Sequence, residues 1–429
     1  MKVAFYTLGC KVNQYETDLL KDIFEKNGYT IVDFANKADI YIINTCSVTN
    51  MSDRKSRQMI NFAKKRNKDS VVCVMGCYAQ AIKDKINEYE NIDIAIGNEE
   101  KEKVYEIVTN CLKEKKKKYI KISDINKVKK YYQKGMLDRA YDVRESVKIE
   151  DGCNNFCSYC IIPYVRGRIR SRSLEDIVKE VELLAKDNVK EVVLVGIEIA
   201  SYGKDLTEYS LIDVIEEVSK IDGIERIRLG SIEPRWITKE NIERMKKVDK
   251  LCKHFHLSLQ SGSTTVLKRM NRKYTTEEFL ERVQMLKEAF KDDLALTTDI
   301  IVGFPGETDE EFNETLKFVE TVGFKEIHVF KYSKRDGTVA AKMEGQIDGN
   351  IKHERSQKLI ELSSRLTKEY NKKYIGKKVK VLVEKISDSN IEGYTDTYIK
   401  VKKRVDENWL KTGEILELTL EEEDIDVKG

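Results

Sequence analysis

The chain has 429 residues, which at roughly 150 residues per domain predicts about three domains. Its 41% hydrophobic and 35% charged residues exclude a disordered or collagen-like protein, whose composition is far more biased. Lys plus Arg (77) and Asp plus Glu (74) nearly cancel to a formal charge of +3, which excludes a uniformly basic coat while leaving room for a local basic patch.

The first stretch alternates short β-branched runs with amphipathic segments. Strands are predicted at Val3–Tyr6, Ile40–Ile43, Val71–Met75 and Ile92–Ile96, and helices at Gln14–Lys26, Ser52–Lys65, Ala79–Glu88 and Glu99–Cys111. This predicts a doubly wound parallel α/β domain over residues 1–112. Lys113–Lys134 contains KEKKKK without apolar periodicity and reads as a linker or solvated arm (113–138), with nucleic-acid contact the lesser reading.

A second alternation follows, with strands predicted at Val147–Glu150, Glu191–Val195, Arg226–Leu229, Phe255–Gln260, Leu294–Val302 and Glu326–Phe330. Helical patterns such as Leu174–Lys186 and Thr276–Phe290 lie between them, and a long polar helix, about Ile351–Tyr370, closes the segment. Residues 139–370 are therefore expected to form a partial (β/α)6 barrel, with its chemistry at the C-terminal strand ends. In the tail, 371–429, Val379–Glu384, Tyr398–Val401 and Ile415–Leu420 alternate at period two between glycines, predicting a small antiparallel β-barrel. Lys and Arg outnumber acids over Asn371–Lys411, with Tyr374, Tyr394, Tyr398 and Trp409 interspersed, which fits RNA binding by phosphate contact and stacking or an ordinary solvated β domain.

No apolar run approaches the ~18–20 residues that cross a bilayer, and MKVAFYTLGCKVNQYE turns polar too early for a signal-peptide core. The expected location is the cytoplasm, with no membrane partner. Nine cysteines, an odd count, cannot all pair within the chain, and in a reducing compartment close spacing points to metal or redox chemistry. Cys153, Cys157 and Cys160 form C-x3-C-x2-C directly after the first barrel strand. Three thiolates hold three irons of a [4Fe–4S] cube and leave the fourth open to an exogenous ligand. Structural zinc needs four ligands, and no fourth Cys or His lies nearby in sequence. Cys10, Cys46 and Cys77 each lie just beyond a predicted strand, at the edge where open α/β sheets bind ligands. Separate buried thiols are the ordinary state of free cysteine, but they do not explain one thiol after each of three strands. A second three-cysteine cluster is expected, with Cys73, Cys111 and Cys252 as small core residues.

These motifs, with TLGCKVNQYE, ADIYIINTCSVTN, GCYAQ, DGCNNFCSYCIIPYVRGRIRSR, GSIEPRW, LQSGSTTVLKRMNRKYT and TTDIIVGFPGETDEEF, resemble the radical S-adenosylmethionine (radical SAM) methylthiotransferases. KVNQYE and SIEP are closest to the branch acting on N6-threonylcarbamoyladenosine in tRNA (the MtaB type), and GYTDTYIKV resembles the RNA-binding TRAM module. The resemblance implies two [4Fe–4S] clusters and two S-adenosylmethionine molecules per turnover. The Cys153/Cys157/Cys160 cluster would generate a 5′-deoxyadenosyl radical, and the auxiliary Cys10/Cys46/Cys77 cluster would carry the sulfur. The product would be 2-methylthio-N6-threonylcarbamoyladenosine at position 37, next to the anticodon. A tRNA and a reductant of unidentified kind are the implied partners. Isopentenyladenosine tRNA, or an aspartate of a ribosomal protein, is the alternative acceptor; an iron–sulfur electron carrier or redox-sensing RNA-binding protein is the non-enzymatic alternative. The family would have proline at the positions of Ser258 and Lys331.

Cofactor contact is expected at Tyr159, just before the last cysteine, and at the strand ends. Gly196, which would let the backbone approach the cofactor, and Glu198 end the second strand. Ser231 and Glu233 end the third, Gln260 the fourth, and Gly303 and Pro305 (in GFPGE) the fifth. Glu198 or Glu233 could instead pair with an arginine, and GFPGE could be only a turn. Arg166, with Arg168, Arg170 and Arg172, is read either as a phosphate or carboxylate contact or as solvated surface.

Overall fold

The computed structural model describes residues 1–114, 118–131, 136–137, 140–387, 390–405 and 410–425. Strands β1 (Lys2–Thr7), β2 (Thr30–Val32), β3 (Ile40–Thr45), β4 (Val71–Gly76), β5 (Ile94–Ile96) and β6 (Tyr119–Lys121) form one parallel sheet, in the order β2-β1-β3-β4-β5-β6. β3, IYIINT, is buried along its whole length because helices cover both faces. Ile40 and Ile42 pack with Leu20, Phe24 and Val104 beneath α1 (Lys11–Lys26) and α4 (Val104–Glu114). Tyr41 and Ile43 pack with Ile60, Ala63 and Tyr78 beneath α2 (Asn50–Arg66) and α3 (Cys77–Ala81).

The expected linker is only partly a linker. Tyr119–Lys121 pairs with β5 as the sixth strand, and Ile125 and Val128 are buried beyond it. Two or three apolar residues set among lysines carry no readable period, so the strand was hidden by its shortness. Lys115–Lys117 and Tyr132–Lys134 lie outside the described residues.

Next come β7 (Arg144–Lys148), β8 (Glu150–Asp151), α5 (Ile162–Val165), β9 (Arg170–Ser171), α6 (Leu174–Lys186), β10 (Glu191–Val195), α7 (Leu211–Ser219), β11 (Arg226–Leu229) and β12 (Ser231–Ile232). They are followed by α8 (Lys239–Met245), β13 (His254–Leu257), α9 (Thr264–Arg269), α10 (Thr276–Phe290), β14 (Ala295–Val302), α11 (Asp309–Val322), β15 (Glu326–Lys331) and α12 (Gly349–Lys372). β7, β10 and β11 make one parallel ladder, and β12 to β15 another. β11 and β12 are halves of one strand bent at Gly230, so six strands make a partial barrel from β7 round to β15. Its core joins Val147, Val192, Leu194, Ile227, Phe255 and Ile300 to the inner faces of α6, α7, α10 and α11.

The tail is a four-stranded antiparallel sheet of β16 (Lys378–Ser387), β17 (Asn390–Thr395), β18 (Lys400–Arg404) and β19 (Ile415–Thr419), in the order β18-β17-β16-β19. It curls so that Ile425 bridges Val401. β17, NIEGYT, was not expected, since asparagine and glycine are poor strand formers. Gly393 is needed there, because a Cβ would lie 2.0 Å from the Leu382 carbonyl. The sheet plugs the N-terminal end of the barrel. Arg226 donates to the Tyr394 and Lys380 carbonyls at 2.8 and 2.7 Å, Arg228 to the Asp396 carbonyl at 2.8 Å, and Lys325 to the Tyr398 carbonyl at 2.6 Å. The aromatics expected to stack on RNA are committed here. Tyr398 stacks on Tyr394 and lies under the Arg144 and Arg228 guanidiniums, and Tyr374 is buried against Tyr370. Trp409 lies outside the described residues.

Candidate metal centre and cofactor cavity

Cys10, Cys46 and Cys77 follow β1, β3 and β4, which are neighbours in the sheet, so one edge presents all three thiols. Two glycines make this approach feasible. Gly9 has φ +100°, and a Cβ there would lie 2.8 Å from the Cys46 sulfur; Gly76 has φ +99°, and a Cβ would lie 2.5 Å from the Thr45 carbonyl. The buried Asn13 side chain donates to the Leu8 and Thr45 carbonyls at 2.6 and 3.1 Å, and Asn44 donates to the Asn13 carbonyl at 2.9 Å, tying together the loops that carry Cys10 and Cys46. Burial, then the neighbouring Cys77 and Cys10 thiols, push Cys46 up to about 11. A buried thiol such as Cys46 is a poor thiolate until a cation compensates it, which suits a metal ligand.

The second triad sits in a loop clamped at its base. β8 and β9 pair antiparallel, Glu150 with Ser171 and Asp151 with Arg170, so the chain leaves and re-enters at one point. Gly152 (φ +89°) has room for no Cβ, which would lie 2.0 Å from the Arg168 carbonyl. Asn271 donates to the Phe156 carbonyl at 2.9 Å and the Ser158 hydroxyl to the Arg269 carbonyl at 2.8 Å, holding the loop's far side to the end of α9. Donors then face the sulfurs: the Asn155 N–H lies 3.4 Å from Cys153 Sγ, and Arg272 Nη1 lies 3.4 Å from Cys157 Sγ. Burial, then Cys157, push Cys160 up to about 12.

A cavity of about 280 Å³ opens over this loop. Cys153, Cys157, Cys160, Tyr159, Glu198 and Gln260, six of the expected residues, line it. So do Asn155, Arg272, Asp299 and the edge Phe330–Ser333, none of them expected as a contact from sequence, and Ser258, which like Lys331 is marked in the sequence only as a position where the family would have proline. Val48 and Thr49, just beyond Cys46, form part of its wall, so the segment that follows an N-terminal cysteine faces the Cys153 loop across one space. Burial lifts the Glu198 carboxyl to about 7 against the pull of Arg272, and Asn155 Nδ2 donates to it at 3.0 Å.

Five expected contacts stand elsewhere. Gly196 makes room for the buried Glu150 carboxylate, which a Cβ would approach to 2.8 Å; that carboxylate accepts the Ile197 and Glu198 N–H groups. Ser231 is exposed, and Glu233 pairs with Arg235 at 2.8 Å. Gly303 and Pro305 belong to a turn braced by Glu307, which accepts the Gly303 N–H at 2.8 Å and pairs with Arg355 at 2.6 Å.

Arg166 is neither a cavity residue nor solvated. It is fully buried where α1 meets the barrel, donating to Asn13 Oδ1 (2.6 Å), Asp151 Oδ1 (2.9 Å) and Glu16 Oε1 (3.1 Å), with Nε 3.4 Å from Cys77 Sγ. Burial would raise the Glu16 and Asp151 carboxyls, but Arg166 and Lys148 outweigh it for both, with Lys101 adding at Glu16, and hold them below the usual range. Arg172 is likewise buried against Glu180, and only Arg168 is exposed, over the Phe156 ring. Cys77 packs on Ile161, Ile162 and Val165, so that corner of the N-terminal triad is roofed by the barrel's own α5 region, while Cys10 stays exposed. Cys73, Cys111 and Cys252 are buried.

The donor chemistry fits the groups the sequence implies. Each triad offers three soft thiol ligands, with N–H donors on at least one sulfur, an arrangement that leaves one iron of a cubane open. Among the described residues, no helix is long and apolar enough to cross a membrane.

Comparison with known proteins follows the same division. The radical SAM superfamily profile matches residues 147–319, and the profile of the Uncharacterized protein family UPF0004 matches residues 2–97. The chain is 45% identical to the threonylcarbamoyladenosine tRNA methylthiotransferase MtaB of Bacillus subtilis (strain 168), over 93% of this chain and 89% of that protein. It is 39% identical to the MtaB of Aquifex aeolicus, over 98% and 100% of the two chains. A tRNA-2-methylthio-N(6)-dimethylallyladenosine synthase of Acetivibrio thermocellus is 40% identical, over 91% and 82%. Among solved structures, the radical SAM methyltransferase TsrM from Kitasatospora setae superposes with a TM-score of 0.55 at 15% identity, covering 77% of this chain and 74% of that one, a likeness of fold alone. With two cysteine triads on a parallel sheet and a partial barrel, and with relatives this similar over nearly their whole length, the chain belongs to the radical SAM methylthiotransferase family.

Proposed function

We propose that the protein adds a methylthio group to C2 of N6-threonylcarbamoyladenosine at position 37 of tRNA, using S-adenosylmethionine, two iron–sulfur clusters and a reductant. The observation that carries the reading is the shared space, in which the Cys153/Cys157/Cys160 loop and the segment after Cys46 form two walls of one cavity. The threonylcarbamoyl acceptor follows from the most similar of the relatives named above. When bound, the clusters and S-adenosylmethionine supply the electron, the radical and the methylthio group needed at an adenine C–H that has neither acidity nor a leaving group.

The chain's own residues bind and orient. Glu198, half protonated near neutrality, and Asn155 present a polar pair beside Cys153, suited to an ammonium group. Arg272 keeps its guanidinium on Cys157 while bonding the Ser258 carbonyl and Tyr274, so it brings positive charge to the thiols as well as toward Glu198. Exposed Val48, Met51 and Phe330 give the rim an apolar character suited to a base swung out of its stack. A latch of Arg335 with Asp53 (2.8 Å) and Asn50 (2.7 Å), and of Asn50 with Ser333 (3.0 Å), fixes the rim's width. The tail acts as a TRAM-type tRNA contact through exposed lysines such as Lys385 on β16 and Lys373 and Lys377 just before it, rather than through its tyrosines. The free cysteines accord with cytoplasmic work.

The test is anaerobic turnover with tRNA carrying threonylcarbamoyladenosine, reading 5′-deoxyadenosine and the modified nucleoside by mass spectrometry. Cys157→Ala abolishes both products, whereas Cys46→Ala keeps 5′-deoxyadenosine and loses methylthio transfer. Equal loss of both in Cys46→Ala would break the division of labour between the triads, and methylthiolation of isopentenyl-adenosine tRNA alone would overturn the acceptor.

A further inference from the structure

Below the cavity, three adjacent strands bring two imidazoles and a carboxylate to one level of the barrel lumen. His256 is on β13, Asp299 on β14 and His328 on β15. One ligand atom from each lies within 4.8 Å of the others, the one such grouping of His, Cys, Asp or Glu among the described residues. Register explains it: β14 pairs with both neighbours, Thr297 opposite His256 and Asp299 opposite His328. Phe255 and Leu257 point into the outer core, so the alternate residue His256 faces the lumen. Asp299 also lines the cavity over the cysteine loop.

The contact between the first two is that of co-ligands rather than of a hydrogen bond. His256 Nε2 lies 3.2 Å from Asp299 Oδ2, yet it is buried and makes no aligned hydrogen bond. Two donor atoms each ~2.0–2.1 Å from a tetrahedral ion are about 3.3 Å apart and point at the ion, not at each other. The other ring nitrogen is already spoken for. His256 Nδ1 is 3.0 Å from the Thr297 hydroxyl, which is also 3.2 Å from His254 Nε2. A cation seated between His256 Nε2 and Asp299 Oδ2 would be coordinated by both. His328 lies over His256, with ring centroids 5.6 Å apart at 24°, and the Glu326 carboxylate adds negative charge 3.8 Å from its Nδ1.

We propose that His256, Asp299 and His328 form a divalent-metal site on the lumen wall, separate from both cysteine triads. Two imidazoles and one carboxylate suit a first-row ion such as Zn²⁺ or Mn²⁺ and leave open positions facing the lumen. Through Asp299, those positions adjoin the cavity, where an oxygen-bearing ligand could complete the coordination.

The test uses the full chain with its iron–sulfur content restored and oxidised, when the clusters are EPR-silent. Mn²⁺ is titrated in, and loss of the free-ion signal is read. The expected result is about one Mn²⁺ bound per chain, displaced by Zn²⁺, which binds such donors more tightly. His328→Ala, a change at a half-exposed side chain that leaves the fold intact, weakens binding about tenfold or more, and Asp299→Asn does the same. Wild-type uptake no greater than that of His328→Ala, at equal iron content, overturns the proposal and leaves His256 and Asp299 as an ion pair.

Discussion

Replacing Arg166 with methionine probes whether the two triads are held together by buried charge. The side chain is fully buried and bonds Asp151, Glu16 and Asn13, with Nε on the Cys77 sulfur. Breaking a buried ion pair by removing one partner costs about 3–5 kcal/mol. Two features place this case near the lower end. Lys148 still reaches Asp151 at 2.8 Å and Glu16 at 2.9 Å, so neither carboxylate is stranded. Arg166 also repels Lys101 and Lys148, and that repulsion vanishes with it. Against this, Asn13 Oδ1 loses its bond from Arg166, which costs about 1–3 kcal/mol for a buried acceptor. The expected net loss is about 3 kcal/mol. Anaerobic urea denaturation followed by circular dichroism should show it, with Arg166→Lys recovering part but not all, since a lysine cannot fork to three acceptors. A loss under about 0.5 kcal/mol in the methionine variant, the value for a solvated arginine, would refute the reasoning.

Two more outcomes follow from local geometry. Gly9→Ala forces a side chain into a left-handed backbone and to 2.8 Å from the Cys46 sulfur, so iron bound after reconstitution should fall by about half while the Cys153 loop stays loaded; unchanged iron content would count against the N-terminal triad as a ligand set. Burial lifts Glu145 to about 7, although the Asp142 and Tyr141 N–H groups oppose it. A folded-state value above the unfolded one means its stabilising contribution is full below about 4.5 and lost as pH rises through about 7. Glu145→Gln, which can still accept both bonds, should therefore match wild type near pH 4.5 and exceed it by about 1–3 kcal/mol near pH 8. A pH-independent difference in thermal midpoint would contradict the assignment.

The architecture was legible because its signals are long-range repetitions. Six barrel strands and the thiols at three sheet ends can be read from apolar runs such as IYIINT and VVCVMG. What escaped reading was governed by tertiary partners. Arg166 looks like any residue of RGRIRSR, and nothing in that run reveals Glu16, 150 positions earlier, as its partner. Gly196 and Gly303 drew attention as strand-end glycines, but the space they leave is taken by Glu150 and by the Lys352 stem. Asp299 and Arg272 sit inside motifs quoted for other reasons, and only the strand pleat and the loop contacts turn them toward the cavity. The tail tyrosines matched the composition of a stacking surface, yet barrel arginines had claimed Tyr394 and Tyr398, and Tyr370 had claimed Tyr374.

The α5 roof over Cys77 also orders events during synthesis. The first 121 residues carry all six strands of the N-terminal sheet and leave the ribosome before the roof, so Cys10, Cys46 and Cys77 can reach one edge while it is still uncovered. Ile161, Ile162 and Val165, which cover Cys77, and Arg166, which reaches its sulfur, are translated later. Iron offered before they arrive would meet all three thiols uncovered, and iron offered afterwards would find Cys77 covered and Cys10 still exposed. An N-terminal fragment should therefore hold its metal loosely and surrender it to oxygen, and the barrel's arrival serves as the step that commits the cargo.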